Sequence, residues 1–116
     1  MQTDPARLGT ARTLVANDEN ELLLSAASSW EIAIKYALGR LPLPEPPATW
    51  VPDRLRVSKT TAVPLEHHHA LHVATLPLIH RDPFDRILVA QAQLLNLPIL
   101  TSDRMLSRYA VETIQV

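Results

Sequence analysis

The chain has 116 residues, 47% of them hydrophobic and 20% charged, a balance that fits one globular domain and is too apolar for a disordered segment. With 11 basic against 12 acidic residues the net charge is -1, so no global positive field points to nucleic acid or an anionic membrane, and any RNA contact must be local. The absence of cysteine excludes a disulfide framework, a zinc ribbon and a thiol nucleophile and fits a reducing cytoplasm; no apolar run approaches the roughly 20 residues of a membrane helix, and Met1 to Pro5 lack the pattern of a secretory signal.

Ten prolines against two glycines divide the chain into blocks. Pro5 to Ala16 place Leu8, Ala11, Leu14 and Val15 at helical spacing and predict a first helix, closed by the polar run Asn17 to Asn20. Glu21 to Ser25 reads as a short buried strand. A second helix follows, capped by Ser28 or Ser29, with Trp30, Ile32, Ala33, Ala37 and Leu38 on its apolar face and Gly39 in the left-handed position that ends it. Four prolines in the seven positions Leu41 to Pro47 make an extended connector.

Beyond the connector, Ala48 to Ser58 predicts a third helix, with Pro52 tolerated only in its first turn. Thr61 to Leu65 reads as a strand and Glu66 to Thr75 as a helix. The best-marked helix has Asp82 as N-cap, Pro83 as its first residue, Asp85 as its third and Asn96 as its stop. Pro98 to Thr101 predicts a strand, a short helix runs to Tyr109, and Val111 to Val116 forms a last strand. Strands that alternate with helices predict an α/β domain whose parallel sheet is covered by helices.

Functional groups in such sheets collect beyond the carboxyl ends of the strands. Three acids land there: Glu31 after the first predicted strand, Asp85 at the start of its helix, and Asp103 directly after Thr101. Converging carboxylates are the ligands that Mg2+ or Mn2+ prefers, and a site of that kind activates water for phosphodiester hydrolysis. Stabilisation of the helix dipole, worth about 0.3–1 kcal/mol for each acid, explains the same positions without a metal.

Four stretches carry a resemblance to a known family. Ser25-Ala26-Ala27-Ser28-Ser29-Trp30-Glu31-Ile32-Ala33-Ile34-Lys35 resembles the second-strand motif of PIN-domain ribonucleases, specifically the VapC toxins of type II toxin–antitoxin pairs. His80-Arg81-Asp82-Pro83-Phe84-Asp85-Arg86, continuing to Ala92, is similar to the family's third acidic motif, Leu100-Thr101-Ser102-Asp103 to its fourth, and Gly39 to Pro44 to its connector. The resemblance implies one PIN-like domain over residues 1–116, a three-layer α/β/α sandwich with a parallel sheet. It implies a Mg2+- or Mn2+-dependent endoribonuclease in which Glu31, Asp85 and Asp103 are the catalytic and metal-binding acids. Asp82 is the helix cap. Lys35 orients Glu31 or contacts phosphate, with an ordinary ion pair as its plain explanation, while Arg81, Arg86 and Arg104 flank the site as RNA contacts or as solvated charge. The implied partners are RNA and a cognate antitoxin that delivers an arginine or a helix to the acidic pocket; the implied assembly is a homodimer, away from any membrane.

One element of the pattern has no counterpart. Family members open with a central strand that carries a first metal-binding aspartate, whereas Met1 to Leu8 match a later part of that region. The reading is therefore of an N-terminally truncated domain, through a late start codon, a fragment or natural loss. Its neighbouring strands would lack a shared partner unless another chain or a rearrangement supplied one. The alternative function is a catalytically impaired PIN domain that binds antitoxin or dimerises, and a third reading is an ordinary α/β domain whose acids only cap helices.

Five histidines fall between His67 and His80. His68 and His72 have a spacing that can hold zinc, but with no cysteine beside them the group reads as a solvent-facing helix. Trp30 and Trp50 read as core or dimer-interface anchors, because so few aromatic rings offer little for base stacking.

Overall fold

The structure, a computed structural model, describes residues 12–16 and 21–115. Five strands form one sheet in the order β3-β2-β1-β4-β5: β1 (Thr13–Val15), β2 (Leu22–Ser25), β3 (Thr61–Val63), β4 (Ile99–Thr101) and β5 (Thr113–Gln115). The helices are α1 (Ala26–Ala37), α2 (Pro47–Ser58), α3 (His67–His72) and α4 (Pro83–Leu95), with 3-10 turns at Val73–Thr75 and Arg104–Arg108.

The pairs β2–β3 and β4–β5 are parallel, as an α/β chain requires. The centre differs from expectation. Thr13 to Val15, read from sequence as the end of a helix, form β1 and pair antiparallel with both β2 and β4. The sheet is therefore mixed, and the slot expected to stand open between β2 and β4 is filled. Both flanking strands present backbone groups that need partners, and the β-branched, apolar Thr-Leu-Val segment suits a buried strand. Asn17 to Asn20, and the part of the predicted first helix before Arg12, lie outside the described residues.

Strand alternation gives the sheet two covered faces. Leu23 and Leu14 pack with Ile99, Leu88, Val89 and Leu106 on one side, where α4 lies. Leu24 packs with Ile32, Trp50 and Val51 on the other, beneath α1 and α2. The expected three-layer sandwich results.

Helix ends follow local chemistry. Ser25 caps α1 by accepting from the Ala27 N–H at 3.1 Å; the helix starts earlier than Ser28 or Ser29 would have placed it, because the last residue of β2 itself carries the capping oxygen. Gly39 ends the helix at φ +72, where a Cβ would be strained. Pro47 opens α2, which puts Pro52 beyond the first turn, inside the helix. Asp82 caps α4, its Oδ1 accepting from the Phe84 N–H at 2.8 Å, and Asn96 closes it in the left-handed conformation. Replacing Asp82 with alanine should cost about 1 kcal/mol in urea unfolding; an unchanged midpoint would show that its side chain does not stabilise α4.

Candidate metal centre

The carboxyl ends of β2 and β4 and the first turn of α4 meet at one edge of the sheet. Asp85 extends there from α4 and is 1% exposed; Asp103 follows β4. With His80, which precedes α4, they offer one ligand atom each within 4.8 Å of one another. Glu31 is buried nearby in the second turn of α1, too far along the helix for its dipole to explain the residue.

Arg12 links all three acids. Because β1 runs antiparallel to its neighbours, its first end lies at their last, and the Arg12 guanidinium enters the cluster. Its Nε lies 2.8 Å from Asp85 Oδ1, and its Nη atoms lie 3.8 Å from Glu31 Oε1 and 3.8 Å from Asp103 Oδ2. Ser28 fixes the arginine from α1 by donating its hydroxyl to the Arg12 carbonyl at 2.9 Å. Nothing in the sequence pattern marked Arg12, which sat in a segment read as helix.

The two aspartates differ in environment. Asp103 Oδ1 accepts from the Met105 N–H at 2.9 Å, and Oδ2 accepts from His80 at 3.0 Å. The Met105 N–H, seconded by His80, holds the Asp103 carboxyl below its ordinary range. Among the described residues neither buried Asp85 oxygen has a hydrogen bond of good geometry, so its contacts with Arg12 and with His80 at 3.2 Å are electrostatic. Burial pushes the Asp85 carboxyl up from 3.8 to about 6, against the pull of Arg12.

A carboxyl that binds its proton more tightly folded than unfolded weakens the fold as pH rises through that interval. The wild type should therefore lose stability relative to an Asp85→Asn variant between pH 3.8 and about 6, a difference measured by urea unfolding at each pH. The opposite slope would contradict a shift driven by burial.

The remaining residues fall into clear places. Lys35 Nζ lies 2.9 Å from Glu31 Oε2, the i,i+4 pair expected. Arg86 donates to the Pro77 carbonyl at 2.8 Å and reaches Tyr109 Oη and the Val73 carbonyl at 3.4 Å, bracing the loop before α4. Arg81 and Arg104 are exposed. The histidines do not behave as one group. His67 and His68 face solvent as expected, but His69 is buried in a capping box with Glu66, His72 pairs with Gln93 at 2.8 Å, and His80 belongs to the acid cluster. Trp50 is a core residue, whereas Trp30 is 56% exposed and rests edge-on against Phe84 at 4.9 Å, so of its two readings, core or dimer-interface anchor, the core one does not hold.

A family comparison matches the PIN domain over residues 3–112. Ribonuclease VapC16 of Mycobacterium tuberculosis is 52% identical over 61 residues, a stretch that covers 53% of this chain and 43% of that relative. The match thus spans less than half of the relative's length. No solved structure matches significantly, and among the described residues no helix is long and apolar enough to cross a membrane. With the acids gathered at the edge of an α/β/α sheet and the family match running over nearly the whole sequence, the chain belongs to the PIN domain family.

Proposed function

We propose that the chain is a single-domain toxin component of a type II toxin–antitoxin system, acting in the cytoplasm as a Mg2+- or Mn2+-dependent endoribonuclease with Glu31, Asp85 and Asp103 as catalytic and metal-binding acids. The observation that supports this reading best is the meeting of Asp85 and Asp103 at the sheet edge, with both Asp85 oxygens buried and, among the described residues, met by Arg12 and His80 in charge contacts without a well-formed hydrogen bond. Carboxylate oxygens suit a hard divalent cation, and the name of the VapC16 relative supports RNA as substrate.

Bound there, a divalent cation supplies Lewis-acid activation of water and neutralises charge that builds on the scissile phosphate. Asp85 and Asp103 would hold it, with Glu31 completing the acidic face. Lys35 orients the Glu31 carboxylate, and Asp103 is held at both oxygens, so neither acid needs to reorganise when substrate arrives. Arg12 must withdraw, or share its contacts, before the full charge of the acids is available. Arg81 and Arg104, both exposed, would meet RNA phosphates. A cognate antitoxin would silence the enzyme by neutralising this pocket, and the working assembly would be a homodimer.

Arg12 favours a second reading, because a pocket that already holds an arginine suits a catalytically impaired domain that binds antitoxin or dimerises. Incubating RNA with the purified chain in Mn2+, with and without EDTA, separates the two. The enzyme reading expects cleavage in Mn2+ alone and its loss in Glu31→Gln and Asp103→Asn. Cleavage that survives EDTA or both substitutions would overturn it, and no cleavage beside tight antitoxin binding would establish the module.

A further inference from the structure

By distance alone His80 is a third ligand. Its Nε2 lies 3.0 Å from Asp103 Oδ2 and 3.2 Å from Asp85 Oδ2, and an imidazole there would tilt the site from Mg2+ toward softer transition metals. The other edge of the ring decides otherwise. His80 Nδ1 lies 3.1 Å from the backbone nitrogen of Asp82, a group that can only donate. Nδ1 must therefore present its lone pair. A neutral imidazole has one lone pair and one N–H, so with Nδ1 accepting from the Asp82 N–H the proton sits on Nε2. A nitrogen that carries a proton offers no lone pair to a cation.

The surroundings hold this ring in place. The His80 N–H donates to Tyr109 Oη at 2.8 Å, and Tyr109 is 4% exposed within the core. Asp82 is fixed in turn as the cap of α4. From this anchored position the Nε2–H is directed at Asp103 Oδ2, while the Met105 N–H holds the other oxygen. The Asp103 carboxylate is thereby held at both oxygens, and Asp85 Oδ2 lies 3.2 Å from the same Nε2.

We propose that His80 is a positioning residue of the cation site, an Nε2–H donor that sets Asp103 beside Asp85 and does not ligate the metal. The proposal rests on the reading that these acids hold a divalent cation, and it leaves the first shell all oxygen, the set that suits Mg2+ and Mn2+.

Three measurements on the full chain test it. Long-range 1H–15N correlation of the histidine rings, with the His80 signals assigned by their loss in His80→Gln, should show a protonated Nε2 and a bare Nδ1. Pulsed EPR of the Mn2+-loaded wild type should show no directly bound imidazole nitrogen. In Mn2+ titrations, His80→Gln, whose amide retains an N–H donor, should bind close to wild type, while His80→Ala should bind about 10- to 100-fold more weakly. An Nδ1–H tautomer, or an imidazole coupling to Mn2+ that vanishes in His80→Gln, would overturn the proposal alone. Failure of the folded wild type to bind Mn2+ would overturn it together with the reading on which it rests.

Discussion

Asp85→Asn is expected to abolish cation binding while leaving the protein folded and at least as stable as the wild type at pH 7.5. Asparagine preserves the shape of the side chain and removes its charge. The fold already disfavours that charge, since burial raises the carboxyl to about 6 in spite of Arg12. The neutral amide escapes this penalty. The same change removes an acid whose two buried oxygens, among the described residues, have ion-pair neighbours but no well-formed hydrogen bond. Mn2+ affinity should fall by more than about 100-fold, beyond the effect of losing an outer-shell partner, and RNA cleavage should fall with it. Function gained at the expense of stability is common at such sites. Isothermal titration and urea unfolding of the same preparations would show both halves, and a variant that is badly destabilised yet still binds Mn2+ would make Asp85 a structural acid.

Arg12→Gln should act in the opposite sense. The guanidinium is the cation that faces Asp85, Glu31 and Asp103 together, and removing one partner of a buried ion pair leaves the other uncompensated. The expected loss is roughly 3 kcal/mol at pH 7.5. At pH 5 Asp85 holds its proton, so the loss should be smaller there. Mn2+ should restore more stability to this variant than to the wild type, because a cation binding only the folded state stabilises it by mass action and no longer competes with the arginine. Thermal unfolding at both pH values, with and without Mn2+, checks the sign. An equal loss at both pH values and no added gain from Mn2+ would contradict the role of Arg12 as counter-ion to these acids.

Much of this architecture is written locally. Asp82, Pro83 and Asn96 define α4 because capping and proline chemistry act within a few residues, and Gly39 ends α1 for the same reason. Asp85 and Asp103 could be placed beside the sheet edge because each follows directly from the start of a helix or the end of a strand. What escaped depends on distant parts of the chain. Thr13 to Val15 carry apolar residues at a spacing that suits a helix as well as a strand, and the vacancy between β2 and β4 decides the outcome. The entry of Arg12 into the acid cluster follows from that antiparallel insertion, so it was equally invisible. His80 was hidden among four neighbouring histidines; its one local signal is its place two residues before the Asp82 cap, whose N–H it accepts. Trp30 and Trp50 read alike as core or interface anchors, and only the packing distinguishes them: Trp50 lies in the core with Leu24, Ile32 and Val51, and Trp30 does not.

The divalent cation site proposed for the acids at the sheet edge is tested most directly by a Mn2+ titration of the purified chain followed by the loss of the free-ion EPR signal, with Asp85→Asn run in parallel. Saturable binding by the wild type that disappears in the variant is the predicted result. No binding by a folded wild type, or equal binding by both, would contradict it.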